Sequence, residues 1–148
     1  MTLAHSALLL LFAAACGGPP APYQCEGIGF DFEPDCAAAR RNVALARSSL
    51  LELLPGGELE LEQLLSGLPI RVKDAHDLGE LSPETWRMGH YDILEGVTLA
   101  RGMDSLLHEL LHHLDASRLS LGTQWHQGWE SNGYFRRDEE YQRQRVAP

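Results

Sequence analysis

The sequence predicts one α+β domain, and three observations lead there. A chain of 148 residues has room for a single modest core. A capped, amphipathic helical pattern fills the first half, and a second, more strongly amphipathic one follows residue 102. Between them lie short β-branched runs bounded by turn formers. The net charge is −9, and the C-terminal arginines alternate with acids in RRDEEYQRQR. No basic stripe results, which argues against nucleic acid as a partner.

The first fifteen residues, MTLAHSALLLLFAAA, carry no Lys, Arg, Asp or Glu, and the apolar run Ala7 to Ala15 is too short to span a bilayer as a helix. It fits the apolar region of a cleaved export signal, residues 1–15. The segment AAAC, ending at Cys16, resembles a bacterial lipobox, although the leader lacks Lys or Arg and Ala13 stands where Leu is more usual. The resemblance implies lipidation of Cys16, a membrane partner through that anchor, and residence in the bacterial cell envelope facing the periplasm or exterior. Removing Cys16 from the thiol count leaves Cys25 and Cys36, which an oxidising compartment would let close a small loop as a disulfide. Residues 16–24, with GGPPAPY, read as a tether, and 25–148 as the domain.

Asp35 after Pro34 is placed to cap a helix through CAAARRNVALARSSLLELL that stops at Pro55, Gly56 and Gly57. Ala39, Val43, Ala46, Leu50 and Leu53 form its buried stripe. ELELEQLLSG alternates like a strand at its start and ends like a short helix, so its type stays open. PIRV reads as a strand, Ser82 and Pro83 as the cap and first position of a short helix, and YDILEGVTL as a strand kinked or bulged at Gly96. A helix follows through MDSLLHELLHHLD, and a last helical region begins near Trp125.

The chemistry lies in HELLH, His108 to His112. Two histidines at i and i+4 share a helix face and can reach one metal, while Glu109 lies about 100° round, able to reach a metal-bound water without being a ligand. By chance such a string would occur only about 0.03 times in a chain of this composition. On the opposite side of the same helix Leu106, Leu107, Leu110, Leu111 and Leu114 must face the core.

HELLHHLD resembles the active-site helix of zincin metallopeptidases, and VTLARGMDSLLHELLHHLD resembles their arrangement of an edge strand followed by that helix. The metzincin extension is absent, because Asp115 and Arg118 stand at its glycine and histidine positions. HQGW, His126 to Trp129, is similar instead to the short-spacer pattern of SprT-like zincins. The resemblance implies a minimal zincin-like domain, with a small sheet packed on the N-terminal helix and on the HExxH helix. It also implies a zinc-dependent peptidase: Zn²⁺ held by His108, His112 and His126, a metal-activated water, and Glu109 as general base. Protein or peptide would be the substrate, laid along the strand that precedes the helix.

Glu130 competes with His126 for the third position, or else hydrogen-bonds its imidazole; Asp115 and the cluster Asp138 to Glu140 are further rivals. Asp115 could also orient a ligand imidazole. Tyr134 is a candidate oxyanion donor, with packing the plainer reading. His113 falls outside the metal sector. Two other functions stand beside peptide hydrolysis: a lipid-anchored zinc-binding or interaction protein without turnover, and a hydrolase acting on a non-peptide amide of the cell wall.

Overall fold

The computed structural model describes residues 19–82, 85–118 and 129–146. Strands β1 (Tyr23–Cys25) and β2 (Ile28–Phe30) precede helices α1 (Cys36–Leu51) and α2 (Gly57–Leu65). Then come β3 (Ile70–Val72), β4 (Glu80–Ser82), β5 (Thr85–Trp86), β6 (Gly89–Asp92) and β7 (Gly96–Leu99), followed by helices α3 (Leu106–Ser117) and α4 (Tyr134–Gln144). Five strands form a mixed sheet in the order β1-β2-β3-β7-β6; β2, β3 and β7 are parallel, and the outer two strands run antiparallel to their neighbours. Strands β4 and β5 make a separate two-stranded ribbon. The α+β class expected from the sequence is therefore observed.

Side-chain alternation divides the sheet into two faces. Ile28, Phe30, Val72, Val97 and Leu99 are buried in one core with Ala39, Ala46 and Leu50 of α1 and with the leucines of α3. The opposite face carries a continuous cross-strand row, Gln24, Gly29, Arg71, Thr98 and His90. The sheet thus packs helices on one side only, as a half-buried sheet does. Among the described residues no helix is long and apolar enough to cross a membrane.

Helix α1 starts where its cap predicts: Asp35 Oδ1 accepts from the amides of Ala37 and Ala38 at 2.9 and 3.1 Å. Cys36, its first residue, is bonded to Cys25 of β1, with Cα atoms 5.6 Å apart, so the expected disulfide pair is present. The ambiguous ELELEQLLSG is helical; Glu60 turns back to accept from the Gly56 amide at 2.7 Å, and Leu61 is buried.

Three features differ from the sequence reading. Tyr91 to Leu99 is not one strand but a tight hairpin, β6 and β7. Asp92 Oδ1 accepts from the amides of Leu94 and Glu95, and Gly96 takes φ +83°. A Cβ on Gly96 would lie 2.3 Å from the Pro69 carbonyl oxygen, so the turn closes only on glycine. The strand directly before α3 is consequently inside the sheet, and among the described residues β6 forms the edge on that side. Ser82 does not cap a helix; it ends β4, where pairing of Leu78 and Gly79 with Arg87 and of Glu80 with Trp86 overrides the local signal. Pro83 lies outside the described residues. The first strand begins at Tyr23, inside the expected tether, and Ala21 and Pro19 pack against Gly29 and Arg71 of the sheet. The last helix is α4; Trp125 lies outside the described residues, and a helical turn at 129–131 precedes it.

Candidate metal centre

Helix α3 lays its leucines on the sheet and turns its histidine-bearing side toward α4 and β6. His108 and His112, one turn apart, aim their Nε2 atoms at each other across 3.1 Å. Two nitrogens bound to a tetrahedral zinc at its usual bond length stand about 3.3 Å apart. The pair is therefore spaced as two ligands of one ion.

His108 is oriented from behind. Its Nδ1 donates to Asp138 Oδ2 of α4 at 3.0 Å, which fixes the tautomer and leaves Nε2 facing His112. Helix α4 is itself held down on the turn before α3. Tyr141 Oη donates to the Met103 carbonyl at 2.9 Å, Gln142 donates to the Asp104 carbonyl, and Arg145 pairs with the Asp104 carboxylate. At its far end the buried Asn42 of α1 grips the backbone of Val146, donating to its carbonyl at 2.6 Å and accepting from its amide at 2.9 Å. The Trp129 ring, almost wholly buried, packs on both imidazoles, with centroids 4.8 Å from His108 and 4.6 Å from His112.

Charge follows this geometry. Burial opposes protonation of His108, but the hydrogen bond and charge of Asp138 outweigh it, with Glu109 adding, so its pKa is raised. Burial and the neighbouring His108 push His112 down to about 4. With His108 Nδ1 donating to Asp138, His108 Nε2 is left to accept a hydrogen bond from His112 Nε2.

Glu109 is 5% exposed and packs against β6 at Gly89, where an added Cβ would meet Glu109 Oε1 at 2.6 Å and Ser105 Cβ at 2.6 Å. Only a glycine lets the edge strand come this close to the helix. Burial drives the carboxyl up to about 7; His108 and Arg87 oppose, Asp138 adds, and the Tyr91 amide stabilises the ionised form. A carboxyl of raised pKa beside His108 can take up or release a proton near neutral pH.

The remaining expected residues fall as follows. His126 lies outside the described residues, as does Cys16. Among the described residues no third His, Cys, Asp or Glu completes a metal-holding group with the pair. Glu130 is exposed on the turn before α4. Asp138, expected among the rival ligands, lies on the Nδ1 side of His108, away from the Nε2 gap. It orients His108; Asp115, suggested for a similar part, is half-buried one turn beyond His112 and acts electrostatically on Tyr134. Tyr134 is a core side chain, 1% exposed, with its ring against Trp129 and its hydroxyl accepting from Arg118 Nη1 at 3.4 Å. His113 is structural: Nε2 donates to the Leu64 carbonyl at 2.8 Å and Nδ1 accepts from the Tyr91 hydroxyl at 3.1 Å.

Sequence reasoning missed the part played by Asp138, and it missed Gly89. Asp138 left a signal: with Tyr134 and Tyr141 it forms an i, i+4, i+7 stripe, an acid on the core-facing side of a helix. Nothing in the sequence marked Gly89. No protein-family model matches the chain, and comparison with curated proteins and with solved structures finds no significant match.

Two outcomes follow from this geometry. The pKa of Glu109 in the fold, about 7, exceeds its ordinary 4.5, so the penalty for burying its charge is absent below pH 4.5, grows between 4.5 and about 7, and is fully present above that. In the metal-free protein Glu109→Gln should therefore be more stable than the parent at pH 8, by roughly 1–3 kcal/mol, and should lose that advantage near pH 4.5. Urea unfolding at the two pH values reads this; an equal difference at both would show that burial does not strain the carboxylate. If the imidazole pair holds zinc, Asp138→Asn should weaken its binding by about 10–100-fold in chelator competition while the fold persists. Unchanged affinity would show that His108 needs no carboxylate behind it.

Proposed function

We propose that the chain is a zinc-dependent metallopeptidase in which His108 and His112 hold the ion and Glu109 is the general base. The observation that carries this reading is the 3.1 Å approach of the two Nε2 atoms, with Asp138 fixing one ring and a buried carboxylate of raised pKa alongside. Bound in the gap, zinc would supply Lewis acidity for attack by water on a polarised carbonyl. Glu109 takes the water's proton and returns it to the leaving amine, a task that needs a carboxyl near the working pH. Trp129 and the leucines of α3 keep bulk water from the back of the site.

His126 is proposed as the third ligand. It lies outside the described residues and precedes Trp129, whose ring touches both imidazoles, by three positions in the sequence. Asp138 Oδ1, buried and without a hydrogen-bond partner among the described residues, offers an acceptor to an incoming N–H. The edge strand β6 offers an extended peptide its outer side, directly above Glu109. Export with a lipid at Cys16 is part of the same proposal, and the Cys25–Cys36 disulfide supports an oxidising compartment.

Purified protein should bind about one zinc per chain and cleave members of an unbiased peptide library. Glu109→Gln should keep the zinc and lose activity by about 10²–10⁴-fold; undiminished turnover would remove the general-base assignment. In chelator competition His126→Ala should release zinc far more readily than Glu130→Ala, and the reverse order would make the third ligand a glutamate. In a bacterial host the chain should fractionate with membranes and Cys16→Ser should release it; intact mass showing residues 1–15 retained without lipid would refute the anchor.

A further inference from the structure

Arg87 stands apart from the other arginines of similar burial. Arg47, Arg71, Arg137 and Arg145 are half-buried, and each holds a carboxylate, of Glu62, Asp31, Glu52 and Asp104 respectively. Arg87 is equally half-buried, yet no carboxylate lies within 4.0 Å of it among the described residues. Its backbone is fixed, donating to the Gly79 carbonyl at 2.9 Å and accepting from the Leu78 amide at 2.7 Å. It lies two residues before Gly89, the point where β6 touches Glu109, and its charge is felt at that carboxylate. The neighbouring Trp86 is 62% exposed, a large apolar surface at the approach to the same edge.

A half-buried cation two residues before the point where β6 meets Glu109, at the start of a strand that has no outer neighbour among the described residues, is placed to receive an anion from whatever lies along that strand. We propose that Arg87 is a specificity residue that binds a carboxylate of the substrate, so that the chain acts on peptides bearing an acidic side chain or a free C-terminal carboxylate near the cleaved bond. This deepens the metallopeptidase reading and rests on it. The chain's net charge of −9 does not oppose it, because acids more than about 8 Å away are largely screened at physiological ionic strength, whereas a contact pair is not. Arginine suits the role, since its planar fork meets a carboxylate with two parallel hydrogen bonds.

The test uses zinc-loaded protein and matched peptides differing only in charge: Glu against Gln at each position, and a free C-terminus against its amide. The parent should prefer one carboxylate form by about 10–100-fold in kcat/KM, and which pair shows it tells side chain from terminus. Arg87→Ala should erase the preference, Arg87→Lys should keep part of it, and Arg87→Glu should turn it toward lysine-bearing peptides. A parent indifferent to charge, a preference that survives in Arg87→Ala, or an equal loss on acidic and neutral peptides alike would each overturn the proposal; the last would mean that Arg87 only tunes Glu109. If the parent cleaves no peptide, the peptidase reading fails, and binding of the same peptides, followed by tryptophan fluorescence, decides for Arg87 separately. A carboxylate preference in binding that Arg87→Ala removes would uphold it, and the absence of such a preference would overturn it.

Discussion

The seating of α3 between the sheet edge and α4 governs the centre. One side of the helix is a row of leucines that cannot face water. Burying them brings Glu109 against β6 and the two imidazoles against Trp129 and Asp138. A buried carboxyl and a buried imidazole pair are unfavourable in isolation. Each is tolerated because its neighbour carries the complementary group: His108 and Arg87 beside Glu109, and Asp138 beside His108. The polar cluster cannot be separated from the packing that creates it.

The hairpin β6–β7 has a parallel part in shaping the site. Asp92 and Gly96 reverse the chain within a few residues, and the reversal sends β6 to the outside of the sheet. Had Tyr91 to Leu99 run on as one strand, β7 would have been the edge and Glu109 would have had no strand beside it. The turn leaves Ile93 and Leu94 highly exposed at its tip, and Gly89 admits the helix at its other end. Two glycines and one aspartate thus decide which strand lies beside Glu109.

Much of this was legible in the sequence where the signal is local. The Asp35 cap, the α1 stripe and the placing of His108, Glu109 and His112 on one helix follow from spacing along a few turns, and the cysteine pair from the thiol count once Cys16 is set aside. What escaped depends on pairing between distant segments. Ser82 carries a helix-cap signal, but its surroundings are set by the register of Leu78 and Gly79 on Arg87. Gly89 looks like any loop glycine until α3 is laid over it. Asp138 sits thirty residues beyond His108, and only the docking of α4 makes them neighbours.

The latch formed by α4 also orders events in time. A chain leaving the ribosome presents His108 and His112 well before residues 134–146, which bring Asp138 to His108 and clamp the Met103–Asp104 turn at the head of α3. Until that segment arrives and Asn42 grips Val146, the imidazoles lack the carboxylate that aims them. The aim of the pair is thereby tied to completion of the fold, so a nascent or clipped chain would present two imidazoles with nothing behind them to hold their direction.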